Sequence, residues 1–146
     1  MDIIIKIVTN KCIYIPFILW SLIQISKVIT DLIKNKRFDV RRIVGAGGMP
    51  SSHSAVVCSL AALVGRQCGF ETAEFAIALV MAGIVMYDAA GVRRAAGKQA
   101  KILNDILDTP GMSGIEVSGK LIECLGHTPF QVVVGALIGF IVGAIF

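Results

Sequence analysis

Charge is scarce in this chain. Only 16% of its 146 residues are Asp, Glu, Lys or Arg, where a soluble domain of this length carries roughly a quarter. With 55% hydrophobic residues and a mean hydropathy of +0.79, the deficit argues against an ordinary soluble domain and for an integral membrane protein. Histidine is scarcer still, with only His53 and His127. The four cysteines, Cys12, Cys58, Cys68 and Cys124, show no paired metal-ligand spacing, and Cys58 sits in an apolar helix, where a thiol acts as a small hydrophobe. There is no evident acidic cluster to hold a cation, so neither metal nor cofactor is expected. The first apolar segment lacks a small-residue cleavage site and is followed by more apolar segments, so it reads as a retained span rather than a signal peptide.

What is present is apolar sequence in four stretches. They run from about Cys12 to Ile33, from about Ser52 to Cys68, from about Ala73 to Ala90, and from Pro129 to Phe146. Crossing the hydrocarbon takes about 20 helical residues. The second stretch is short, with Arg66 near its end, so its helix is expected to begin below the interface in a protein-lined cavity. The expected fold is all-α: one membrane-embedded helical bundle over residues 1–146, with about four transmembrane helices and no second domain.

The cations are unevenly divided. The connection after the first span holds six (Lys27, Lys34, Lys36, Arg37, Arg41, Arg42), and that after the third holds five (Arg93, Arg94, Lys98, Lys101, Lys120). Lys6, Lys11 and Arg66 make three on the other side. This bias predicts a cytoplasmic face carrying both basic connections, with both termini outside. The second and fourth helices start on that same face, so His53, His127 and the arginines can converge there.

Three stretches could carry chemistry. In GAGGMPSSHS, residues 45–54, the glycines allow close backbone approach, Pro50 suits a first helical turn, and Ser51 and Ser52 offer hydroxyls at a helix start that favours anions. His53, one turn in, could protonate a leaving oxygen. In YDAAGVRRAAGK, residues 87–98, Arg93 and Arg94 offer planar forks for phosphate, and Asp88 needs a partner, plausibly one of those arginines. In LGHTPFQ, residues 125–131, His127 precedes a proline suited to a first turn, with Gln131 within reach of its ring. A nucleophilic imidazole needs one nitrogen held so that the other can attack. The plainer readings are a capping turn, a charge cluster that stops translocation, and a histidine satisfied by backbone. Gly135, Gly139 and Gly143 recur every four residues as one stripe, a close packing surface within the bundle or in a homo-oligomer. Residues Lys98 to Leu107 have helical periodicity and are expected on the cytoplasmic face. The segment from Asn104 to Leu125 reads as a mostly polar linker with TPGMSG as its turn.

GGMPSSHSA, MYDAAGVRRAAGKQAKILN and LGHTP together resemble the divergent type 2 phosphatidic acid phosphatase family, related to acid phosphatases and vanadium-dependent haloperoxidases. The resemblance runs from about Trp20 to the C-terminus. It implies that Pro50-Ser51-Ser52-His53 matches the motif contributing phosphate contacts and the general acid His53, with Ser52 replacing glycine. It implies that Arg93 or Arg94 matches the phosphate arginine and His127 the nucleophile. The superfamily's first motif, a lysine and an arginine separated by six residues, is met in spacing by Lys27 and Lys34, with Lys36 and Arg37 as nearby alternatives. This sequence departs from the pattern in the second lysine, in the long insertion between the arginine pair and His127, in Gln131 where the superfamily has an acid, and in four spans where membrane members commonly have six.

The function expected is therefore an integral membrane phosphatase, in a bacterial cytoplasmic membrane with its site on the cytoplasmic side. It would cleave a lipid phosphate or diphosphate through a phosphohistidine on His127, without metal. Ser51, Ser52, Arg93, Arg94, Lys27, Lys34 and Arg37 are the candidate phosphate ligands, and Gln131 and Asp88 the orienting groups. The partner is a membrane lipid, not nucleic acid. The rival is a non-catalytic protein that binds anionic lipid or a partner at its basic face.

Overall fold

A computed structural model describes residues 2–36, 48–109, 120, 121, 123 and 126–146. Arg37, the side chain of Lys34, residues 45–47, Cys124 and most of the TPGMSG turn lie outside the described residues. All regular structure among the described residues is helical: α1 (Asp2–Val8), α2 (Lys11–Asn35), α3 (Ser52–Cys68), α4 (Ala73–Ala90), α5 (Val92–Leu107) and α6 (Pro129–Ile145). The helix starts follow capping chemistry. Asn10 accepts from the Cys12 N–H, Ser51 from Ser54, Thr72 from Phe75 and Thr128 from Gln131. Pro129 occupies the first turn of α6, as expected, whereas Pro50 stands just before the cap of α3.

The predicted stretches coincide with α2, α3, α4 and α6. By length and composition, two helical stretches can cross a membrane: Lys11–Ile33, with mean hydropathy 1.7, and one within Ala73–Leu107, with mean hydropathy 2.0. Helices α3 and α6 have 17 residues each. Apolar side chains on α2, α4 and α6 point outward; Phe17, Ile77, Val80 and Phe140 are each more than half exposed. Helices this apolar and this exposed match a hydrocarbon surround.

Helix α3 is the centre of the bundle, with α2, α4 and α6 around it. Helices α3 and α6 run parallel. A Cβ on Gly135 would collide with the Ser51 carbonyl, one on Gly139 with that of Ala55, and one on Gly143 with that of Ser59. Both helices thus step in register by four residues, and the glycine stripe lets the backbones touch. Of the two uses expected for that stripe, packing within the bundle is what it serves here: all three glycines are buried. Leu19 and Ile23 of α2 close over Ala55 beside this contact, with Ile138 and Val142 of α6 packed against them. Helices α2 and α4 run the opposite way, so their C-terminal ends meet the N-terminal ends of α3 and α6.

Two local expectations are corrected. Helix α5 starts at Val92, earlier than Lys98, because Gly91 ends α4 and α5 begins at once. Arg93 and Arg94 therefore stand on the first turn of a helix, not in a loop. The linker expected from Asn104 is helical as far as Leu107, and the buried Asn104 amide donates to the Leu121 carbonyl (2.9 Å) and to Glu123 Oε1 (2.8 Å) and accepts from the Leu121 N–H (2.9 Å).

Candidate functional site

The three motif stretches meet at one end of the bundle through backbone bonds. The Ser51 N–H donates to the Gln131 carbonyl (3.2 Å), joining the start of α3 to the first turn of α6. The His127 N–H donates to the Ala89 carbonyl (3.0 Å), joining the third motif to the end of the second. Gly126, at φ +91°, lies directly on the Arg93–Arg94 backbone; a Cβ there would collide with it, so both conformation and space require glycine.

The serines at the start of α3 are buried. Ser51 caps the helix and accepts from the Ser54 hydroxyl at 2.9 Å. Ser52 accepts from the Lys27 ammonium at 3.4 Å. Lys27 itself is buried, and its alkyl stem runs past Gly48. The first-motif lysine thus enters the site from α2. Two polar side chains to which the sequence reading gave no separate role, Ser54 and Gln24, are also buried; their signal was only polarity within an apolar helix.

Arg93 donates to Asp88 Oδ2 at 2.5 Å, the partner expected for that carboxylate. Both arginines are exposed, and Arg93 is the one whose charge acts on both imidazoles. Asp88 acts on His53, not on His127.

His127 is 3% exposed, and neither ring nitrogen has a hydrogen-bond partner among the described residues. Burial first, then the charges of Lys27, His53 and Arg93, push its pKa from 6.5 down to about 4. The nearby Gly48 backbone pulls the other way without reaching hydrogen-bond geometry. The ring is therefore neutral at physiological pH. The expected contact from Gln131 is not made. Gln131 Oε1 instead accepts from the Thr128 N–H at 2.9 Å, and Thr128 Oγ1 accepts from the Gln131 N–H at 3.3 Å. This reciprocal cap satisfies two N–H groups that the helix start would otherwise leave bare. Among the described residues, no group of three His, Cys, Asp or Glu side chains is placed to hold a metal ion.

The family model described as "Divergent PAP2 family" matches residues 8–142. This chain belongs to the divergent PAP2 family. It is also similar to a protein of Bacillus subtilis (strain 168) named "Uncharacterized membrane protein YuiD", with 37% identity over 129 residues, covering 81% of this chain and 82% of the relative. No solved structure matches the chain. Membership of the divergent PAP2 family agrees with the convergence of its signature stretches on one polar cluster.

Proposed function

We propose that this divergent PAP2 protein is an integral membrane phosphatase for a lipid phosphate or diphosphate, acting through a phosphohistidine and without metal. One observation carries the reading: a buried, neutral His127 whose ring nitrogens meet no side-chain partner among the described residues, in the field of Lys27, Arg93 and His53. Lys27 and Ser52 stand at the N-terminal end of α3, where the helix dipole is also positive. Arg93 is paired with Asp88, so Lys27 is the cation that reaches no carboxylate among the described residues. A phosphoryl group would be held by those cations, the Ser51–Ser52 turn and Arg93. His127 attacks phosphorus, forming N–P as the bond to the lipid oxygen breaks, and His53 gives its proton to the departing oxygen. Water then attacks phosphorus while His53 takes a proton, and phosphate leaves the ring. The proposal includes α3 and α6 as the third and fourth spans, with the cation-rich end in the cytoplasm of a bacterial membrane.

The same ring also favours a second reading, a non-catalytic protein that binds anionic lipid through the same cations, since no carboxylate among the described residues holds His127. Phosphate release from a panel of lipid phosphates by the purified protein in detergent separates the two. The catalytic reading expects release that vanadate blocks. No release from any lipid phosphate, together with no vanadate binding, would overturn it.

A further inference from the structure

Helices α3, α4 and α6 enclose an apolar cavity of about 870 Å³ that the chemistry above does not use. Its volume falls in the range of about 300–1,000 Å³ typical of small-molecule sites. Its walls are aliphatic, aromatic or sulfur-bearing, and the outer rim residues Leu79, Leu137 and Phe140 are each more than half exposed, so the cavity opens sideways. One end adjoins the histidine site. Tyr87 in the lining directly precedes Asp88, and Val132 directly follows Gln131. At the other end stand Phe70 and Phe75, packed edge to face with centroids 5.1 Å apart and seated against Gly65.

Resting on the lipid-phosphate reading, we infer that this groove holds one acyl chain of the substrate and that the Phe70–Phe75 pair sets the chain length it accepts. From Phe75 to Tyr87 the groove runs about 18 Å at 1.5 Å per residue. That is close to one leaflet of the hydrocarbon core, about 15 Å, and so suits an ordinary acyl chain better than a long polyprenyl chain. Gly83 lies in the wall, and a Cβ there would meet nothing within 4 Å. Its missing side chain is groove volume, not backbone packing.

The test uses the full chain in nanodiscs, with a phosphatidic acid carrying a diazirine midway along a long acyl chain. Crosslinks are expected at Leu79, Gly83 and Leu137 in the wild type and are lost in Gly83→Phe. Phosphate release from long-chain phosphatidic acid should fall on the order of tenfold in kcat/KM in that variant, since each buried methylene lost is worth roughly fourfold. Release from a short-chain, water-soluble analogue should stay unchanged, which also shows that the variant folds. Phe75→Ala should shift the preferred chain toward longer ones. Crosslinks that persist in Gly83→Phe, or an equal loss on both substrates, would overturn the proposal. So would Phe75→Ala with an unaltered chain preference, or a Gly83→Phe protein that changes its oligomeric mass instead. If no lipid is hydrolysed yet the crosslinks map to the groove and vanish in Gly83→Phe, the phosphatase reading fails and the chain site stands.

Discussion

The two ends of the bundle treat their cations in opposite ways. At the far end, Lys11 donates to the Phe146 carbonyl at 3.4 Å and Arg66 to the Ala144 carbonyl. Both cations meet the negative C-terminal end of α6, so dipole and charge agree and the arrangement is complete as it stands. At the near end, Lys27, Arg93 and two imidazoles gather where α3 and α6 begin, at the positive ends of two dipoles. Arg93 has Asp88 to neutralise it, but Lys27 reaches only a neutral hydroxyl among the described residues. The far end is complete as it stands, while under the proposed function the near end takes its counter-charge from a bound anion.

The largest effect that could break this contrast is at His127. His127→Ala should remove turnover by about four orders of magnitude or more, the scale seen when a nucleophile is deleted, read as phosphate release. His53→Ala should cost about a hundredfold to ten-thousandfold, more for poorer leaving groups. Full activity in His127→Ala would show that the near end is not arranged around that ring.

A charge deletion at each end sharpens the comparison. Lys27→Met should weaken vanadate binding by about a hundredfold to a thousandfold while leaving the melting temperature equal or higher, because an uncompensated buried charge is removed. Arg66→Met should do the reverse, losing about 0.3–1 kcal/mol of stability through the α6 C-terminus with turnover intact. Calorimetry and vanadate titration on both variants check this. A Lys27→Met protein that is destabilised yet still binds vanadate fully would make the two ends alike.

Much of this architecture was legible because it is local. Ser52–Cys68, Ala73–Ala90 and the start at Pro129 follow from apolar runs bounded by caps, and the three cations assigned to the opposite side, Lys6, Lys11 and Arg66, do lie together. What was not legible depends on contacts between distant residues. Nothing near Asn104 announces that its amide will bind Leu121 and Glu123. Gly126 reads as an ordinary turn glycine until Arg93 and Arg94 are found against it. Gln131 lies one turn beyond His127, and spacing alone could not show that the Thr128 N–H would take its side chain.

The buried ring also makes stability depend on pH in a set direction. His127 has its pKa lowered from 6.5 to about 4 on folding. Between those values the unfolded chain binds a proton that the folded chain does not, so stability rises with pH across that window and is lost as pH falls through it. His127→Gln should flatten that slope, and denaturant melts at several pH values would reveal it. A wild-type slope unchanged by the substitution would mean that the ring is solvated, and the near end would lose its claim to a desolvated nucleophile.

The smallest effect is expected at Gln131, where an acid has been replaced relative to the pattern this chain resembles. If the missing acid mattered for holding His127, Gln131→Glu should raise activity. The capping geometry argues otherwise: the side chain accepts from the Thr128 N–H, and glutamate does so equally well in the same reciprocal cap. A carboxylate in the first turn of α6 also meets the positive dipole end, worth about 0.3–1 kcal/mol. Gln131→Glu should therefore melt at an equal or slightly higher temperature, with turnover changed by less than about twofold, well inside what one general acid contributes. A rise well beyond that would show that the side chain leaves its cap during the reaction to hold the ring. The near end would then be a relay missing one charge, rather than a set of cations and a bare imidazole that needs none.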